Sequence, residues 1–291
     1  MNFTMPGTGV THQLIKQSGI FLLTCLFLFS LPANALAETA ASSFQVQYLQ
    51  DSSDSEDIFI DINLGLTDKT TLLLSAGNTR ATGTNSIDLD YRDIGLSHQL
   101  NKNFDVLLKY ETISQGSEIE TDTIKTTFTW STDKWSFGLT PEYRDLKLLN
   151  TLTGRQVSLT SNGLGASVYY YGIKNWEYGV SFSSYDYSAN TRILSLPVVI
   201  RLISSNALTV TSGLLDNATS VNATYFFSKS DLGAGYTRSK SAIDGQYSDV
   251  ISLKWTLHNF EPFNIGLEVG SVDSSNNVGS TYSGLTLGYN W

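Results

Sequence analysis

Residues 284–291 read GLTLGYNW. Leu285, Leu287, Tyr289 and Trp291 fall on every second position, with Thr286, Gly288 and Asn290 between them. Period-two spacing gives a strand one greasy face and one small polar face. Chain ends are normally polar and frayed unless something holds them down. A strand that finishes on tryptophan therefore predicts a terminus docked at an interface.

The same alternation runs through the rest of the chain. Ile58, Ile60, Ile62, Leu64 and Leu66 oppose Asp57, Asp61, Asn63 and Gly65. Phe104, Val106, Leu108 and Tyr110 oppose Asp105, Lys109 and Glu111, and Trp135, Phe137, Leu139 and Tyr143 oppose Ser136, Gly138, Thr140 and Glu142. Short polar turns punctuate these runs at TDK (67–69), NKN (101–103), TDK (132–134), GIKN (172–175), SSN (204–206), KSD (229–231) and NFEP (259–262). Successive turns lie roughly 25 to 40 residues apart, the length of a hairpin with two strands of about 9 to 13 residues. Soluble strands are mostly 5 or 6 residues long, whereas a tilted membrane strand needs about 9 to 11. These runs meet the longer figure.

Composition agrees. Of 291 residues only 15% are charged and 12% aromatic, and a mean hydropathy of −0.08 leaves no membrane helix beyond the N-terminus. Near that terminus His12 and Lys16 precede the apolar run 19–31, followed by the A-x-A site Ala35, Leu36, Ala37. This is the layout of a secretory leader, so residues 1–37 are expected to be removed and 38–291 to form one domain. Cys25, the only cysteine, lies inside the leader, which leaves no disulfide and no thiol metal site. Losing Lys16 lowers the formal charge from −9 to about −10, which argues against nucleic acid as a partner.

Aromatic residues gather beside the turns and the chain end. Trp130, Trp135, Trp176, Trp255, Tyr289 and Trp291, with Phe104 and Phe263, lie within a few residues of them. Rings with a polar tip favour the headgroup level of a bilayer, so this set predicts a girdle at one membrane face. Leader, short turns, girdle and the terminal GLTLGYNW together resemble bacterial outer-membrane β-barrels of the porin-like kind. The resemblance implies a terminal signal read by the barrel-assembly machinery, with Tyr289 and Trp291 as its two aromatics. Thr286 stands where that signal usually has glycine.

The predicted fold is all-β: a transmembrane antiparallel up-and-down barrel of about 16 strands, with 14 as the alternative. The alternative turns on two places: Ile193 to Ser204 (ILSLPVVIRLIS), apolar on both faces and interrupted by Pro197, and the short first strand, Ser43 to Gln50, behind which DSSDSED reads equally as a free acidic linker. Proline removes a ladder donor and is unwelcome inside a sheet. The bacterial outer membrane is the expected location.

Alternation assigns the inner face to Asp57, Asp61, Asp88, Asp90, Arg92, Asp105, Lys109, Glu111, Lys125, Glu142, Arg144, Glu177, Arg201, Lys254 and Glu268. Pointing them at lipid would cost about 2–4 kcal/mol each at mid-bilayer. Nine acids against six bases predict a mildly cation-preferring bore. Tyr169, Tyr171, Tyr185 and Tyr187 are candidates for an aromatic saccharide track.

Catalysis and metal binding find little support. Ser97 and His98 are sequence neighbours on opposite faces and make no dyad, and His258 stands near another turn. DSSDSED (51–57) is the sole calcium candidate and reads as a solvated acidic loop. No cofactor is expected. The function expected is passive diffusion of small hydrophilic solutes or cations. The alternative is a structural or assembly barrel of a secretion, export or surface complex. In that case a protein partner occupies the lumen or docks in the periplasm.

Overall fold

The computed structural model describes residues 41–52, 55–81, 87–115, 119–150, 155–188, 214–242, 245–275 and 277–291. The expected leader (1–37) and the segment Ile193 to Ser204 lie outside these residues, as does Arg201. Within them the chain forms fourteen strands. They are β1 (Ser43–Asp51), β2 (Ser55–Thr67), β3 (Thr70–Ala81), β4 (Ile87–Asn101), β5 (Phe104–Gln115), β6 (Ile119–Ser131) and β7 (Trp135–Asn150). The rest are β8 (Arg155–Tyr170), β9 (Trp176–Tyr187), β10 (Leu215–Phe226), β11 (Ser230–Ser241), β12 (Tyr247–Phe260), β13 (Phe263–Ser274) and β14 (Asn277–Asn290).

Every strand pairs antiparallel with its sequence neighbours, and β1 pairs with β14, so the sheet closes on itself. Closure removes the unpaired edges that a bilayer cannot satisfy. Fourteen is the alternative count of the sequence reading, two fewer than the figure of about sixteen. The surplus pair was placed around the SSN turn (204–206). In the barrel β9 pairs directly with β10, from Trp176↔Tyr225 to Ser184↔Asn217, so the wall closes without it. Fourteen strands spaced about 4.8 Å and tilted near 37° enclose a backbone cylinder roughly 27 Å across.

The remaining predicted turns join the pairs β2–β3, β4–β5, β6–β7, β8–β9, β10–β11 and β12–β13. The chain end is tied in at this same end of the barrel. Trp291 donates its backbone N–H to Ser42 at 3.0 Å and accepts one from it at 2.9 Å. Asn290 donates to the Pro262 carbonyl at 2.9 Å. The terminus is the closing seam of the wall, which is why its alternation persists to the last residue.

One face of the wall is exposed and apolar. Ile58, Leu96, Leu108, Ile124, Leu139, Val180, Leu253, Leu267 and Leu287 are exposed on it. The concave face of a closed barrel crowds its side chains, so the more buried residues of each strand point inward. On β4 these are Leu89, Tyr91, Asp93, Gly95 and Ser97, and the exposed ones are Asp88, Asp90, Arg92, Ile94 and Leu96.

That strand corrects the sequence reading. Asp88, Asp90 and Arg92 share the outer face with Ile94 and Leu96 instead of lining the bore. The polarity of the wall inverts partway along it. Toward the short-turn end the outer face is apolar and the inner face polar. Toward the other end Asp88, Asp90, Glu120, Asp122, Asp145 and Lys147 face outward. There the inner face carries Leu49, Leu89, Ile113, Leu146 and Leu159, all buried. A wall that has left the lipid meets water outside, so charge faces out and leucine faces in. The hydroxyls of Tyr110 and Tyr236 mark the crossing: each donates to a carboxylate on the next strand, Asp122 at 2.8 Å and Asp249 at 2.5 Å. Residues 145–150 and 155–160 carry the wall into this rim: β7 and β8 pair from Asp145↔Thr160 to Asn150↔Arg155.

Candidate functional site: the inner wall

Strand register builds the inner wall row by row. One ladder row runs Gly95, Lys109, Lys125, Glu142, Gly163 and Tyr185 across β4 to β9. Residues two positions away on the same strands share the face, which adds Asp93, Glu111 and Arg144. These side chains pair off. Lys109 Nζ lies 2.7 Å from Asp93, and Lys125 Nζ lies 3.0 Å from Glu111. Arg144 Nε donates to Glu142 on its own strand. Tyr91 sits among them, its one hydroxyl 2.6 Å from Asp93 and 3.1 Å from Glu111.

The result is a charged belt on one side of the bore, with each cation matched to a carboxylate. Arg144 is only 2% exposed, its guanidinium stacked 4.2 Å from the Tyr185 ring centroid. Lys109 and Lys125 keep 26% of their side chains open. Asp93 and Tyr91 were missed from sequence because the charges of β4 were assigned to the opposite phase. Counting inward from the NKN turn would have found them, since Ser97 and Gln99 fix the inner parity.

Of the tyrosine track, Tyr169, Tyr185 and Tyr187 lie on the inner parity of β8 and β9. Tyr171 falls in the β8–β9 turn, where burial and then Glu177 raise its phenol above the ordinary value. Two of the inner rings lie flat along the wall over glycines of the next strand. A Cβ on Gly163 would stand 2.6 Å from Tyr185, and one on Gly179 2.6 Å from Tyr169. Such rings take little width from the bore. Tyr187 donates to the Leu215 carbonyl at 2.7 Å.

Asp61, Asp105, Glu177, Lys254 and Glu268 also lie on the inner parity, spread around the wall. Glu268 accepts from Tyr282 at 3.2 Å and Gln47 at 3.4 Å, and stands opposite Lys254 in register. His258 lies 2.7 Å from Asp231 at the short-turn end, while His98, on the outer face, lies 2.9 Å from the Thr70 hydroxyl. In the DSSDSED segment Asp51 accepts the Ser55 N–H at 2.9 Å, closing the β1–β2 loop on itself. Among the described residues no three metal-ligating side chains converge.

On the outer face the aromatics gather in clusters beside the short turns. Trp130 stacks on Phe137 at 5.4 Å, Trp135 meets Tyr170 at 4.5 Å and Trp176 meets Tyr225 at 5.0 Å. Tyr289 joins Phe263 at 5.0 Å and Trp291 at 5.7 Å. Trp255, also exposed on this face, lies in register with Leu267 and Leu232.

No protein-family model matches the chain, and no curated protein matches it in sequence. Solved structures match the fold. The CymD monoaromatic hydrocarbon channel aligns with a TM-score of 0.53 at 9% identity, over 87% of this chain and 88% of that one. A loop L8 deletion mutant of OmpT, an outer membrane protein of Vibrio cholerae, aligns at 0.48 and 11% identity, over 87% and 100%. The NanC porin aligns at 0.48 and 10% identity, over 84% and 98%. The likeness is one of fold: a closed antiparallel β-barrel, here with an apolar outer belt, which the chain shares with the CymD channel.

Proposed function

We propose that the barrel is a passive diffusion channel of the bacterial outer membrane, porin-like in kind, admitting small hydrophilic solutes. The observation that carries the reading is the inner face of the lipid-embedded half. It is lined by Asp61, Asn63, Asp105, Lys109, Lys125, Thr127, Thr129 and Glu177, none of them buried. A wall roughly 27 Å across is too wide for such side chains to fill. Removal of the leader after Ala37, insertion by the barrel-assembly machinery and an inner-leaflet level marked by the tryptophan belt belong to the same reading.

A second reading draws on the rim. Leu49, Leu89, Ile113, Leu146 and Leu159 point inward there and are shielded from water. That layer favours a bore narrowed or filled toward the outside, as in an assembly barrel with an occupied lumen.

Planar-bilayer recording of the purified mature protein separates the two. Steady ohmic steps from the protein alone are the expected result. Silence, or steps only with a co-purifying protein, would replace the channel with the assembly barrel.

A further inference from the structure

We infer that Asp61, Asp105 and Glu177 set the charge preference of the bore and make it favour small cations. The inference rests on the open-channel reading and goes beyond it by naming which charges a passing ion feels.

Sequence alone gives every inward charge equal weight. The geometry removes most of them from consideration. Asp93 is matched by Lys109, Glu111 by Lys125 and Glu142 by Arg144. Asp231 shares a hydrogen bond with His258, which is a cation only when protonated, and Glu268 faces Lys254 directly across β12 and β13. A matched pair a few ångströms apart is a dipole, and its field dies away across a watery bore far faster than that of a lone charge. Asp88, Asp90 and Arg92 leave the count altogether because they face outward.

Asp61, Asp105 and Glu177 are inward carboxylates with no basic side chain opposite them in register. The cross-strand neighbours of Asp61 are Gln45 and Ser75. Those of Asp105 are Gln99 and Thr129. Glu177 faces Thr224 across β10. None of these neighbours is basic, and all three acids keep part of their surface open to solvent. Asp105 and Glu177 are each the second residue of their strand, β5 and β9, so both stand at the short-turn mouth. Asp61 lies farther up the wall in the middle of β2. Carboxylates on three separate strands raise the local concentration of cations along the bore and repel anions. The chemistry admits any small cation, metal or amine, and carries no coordination geometry for one in particular.

The test is the zero-current potential of the purified protein in planar bilayers across a tenfold potassium chloride gradient. The unmodified barrel is expected to favour potassium. The triple variant Asp61→Asn, Asp105→Asn, Glu177→Gln is expected to lower the potassium-to-chloride permeability ratio about threefold, from Coulomb's law in water with salt screening. Asp88→Asn with Asp90→Asn, two acids on the outer face, is expected to leave the ratio where it was. If the triple variant does not insert, Asp105→Asn and Glu177→Gln alone should each move the potential part of the way. A conducting wild type with no cation preference overturns the inference and leaves the channel intact. So does a triple variant with an unchanged potential. A wild type that never conducts removes the channel reading, and this inference with it.

Discussion

The two halves of this barrel solve opposite problems with one backbone. In the half beside the short turns, lipid lies outside and the wall puts Leu96, Leu108, Ile124 and Val180 outward, with Lys109, Lys125 and Thr127 inward. In the rim, water lies outside, and Asp90, Asp122 and Asp145 face it while Leu89, Leu146 and Leu159 turn in. Register, twist and closure continue through the boundary. Only the solvent changes, and the side-chain phase follows it. Polarity along a strand therefore reports what surrounds each level of the wall, not merely which face is which.

The largest expected effect comes from placing the same charge on the same face of β4 on either side of that boundary. Leu96→Arg faces lipid near the middle of the apolar band and should destabilise the barrel by about 2–4 kcal/mol. Asp90→Arg, three turns of the pleat away on the same parity, should change stability by less than about 1 kcal/mol. Reversible urea unfolding in phospholipid vesicles measures both. Equal losses would mean that Asp90 also lies within the bilayer, and the inversion would lose its physical cause.

How much of this was legible beforehand follows from the same boundary. The embedded strands read correctly because apolar outward residues there are continuous, as in 58–66 and 104–110. Asp88, Asp90 and Arg92 were misplaced because a single rule, charge inward, was applied along all of β4. Local alternation in IDLDYR (87–92) is the same whichever face is wet. The clue was available: Asp88, Asp90, Arg92, Ile94 and Leu96 share one parity. A face carrying both charges and leucines must pass through a change of solvent. The preference for about sixteen strands over fourteen has a different origin. ILSLPVVIRLIS is apolar enough to suggest a strand pair, and only the direct β9–β10 register shows that the wall does not need it. The uncompensated acids could not be read at all, because pairing depends on which residues stand opposite, and register is a long-range property.

A second comparison asks whether the rim's inward leucines form a true packed layer. Leu146 is 3% exposed, so Leu146→Ala should cost about 2–3 kcal/mol, as in other well-packed interiors. Thr129→Ala, on the inner face of the embedded half and open to the bore, should stay within about 0.5 kcal/mol. The same unfolding assay reads both. A silent Leu146→Ala would show that the layer is water-filled, and the occupied-lumen reading would lose its main support.

The smallest effect concerns the outer surface of the rim, where ion pairs are plentiful and open. Lys147 Nζ stands 3.2 Å from Glu120, with 33% and 52% of the two side chains exposed. Water screens such a pair, and two long side chains must be held still to keep it. Lys147→Ala should therefore leave stability almost unchanged, and any shift should vanish in high salt. Asp122 and Asp145 face each other across β6 and β7 close by. Lys147 is thus the cation best placed to quieten that like-charge contact. A clear loss, sensitive to salt, would show that the rim's outer face is an electrostatic network instead of a set of independent solvated pairs. The contrast between the two halves would then rest on charge pairing as much as on solvent.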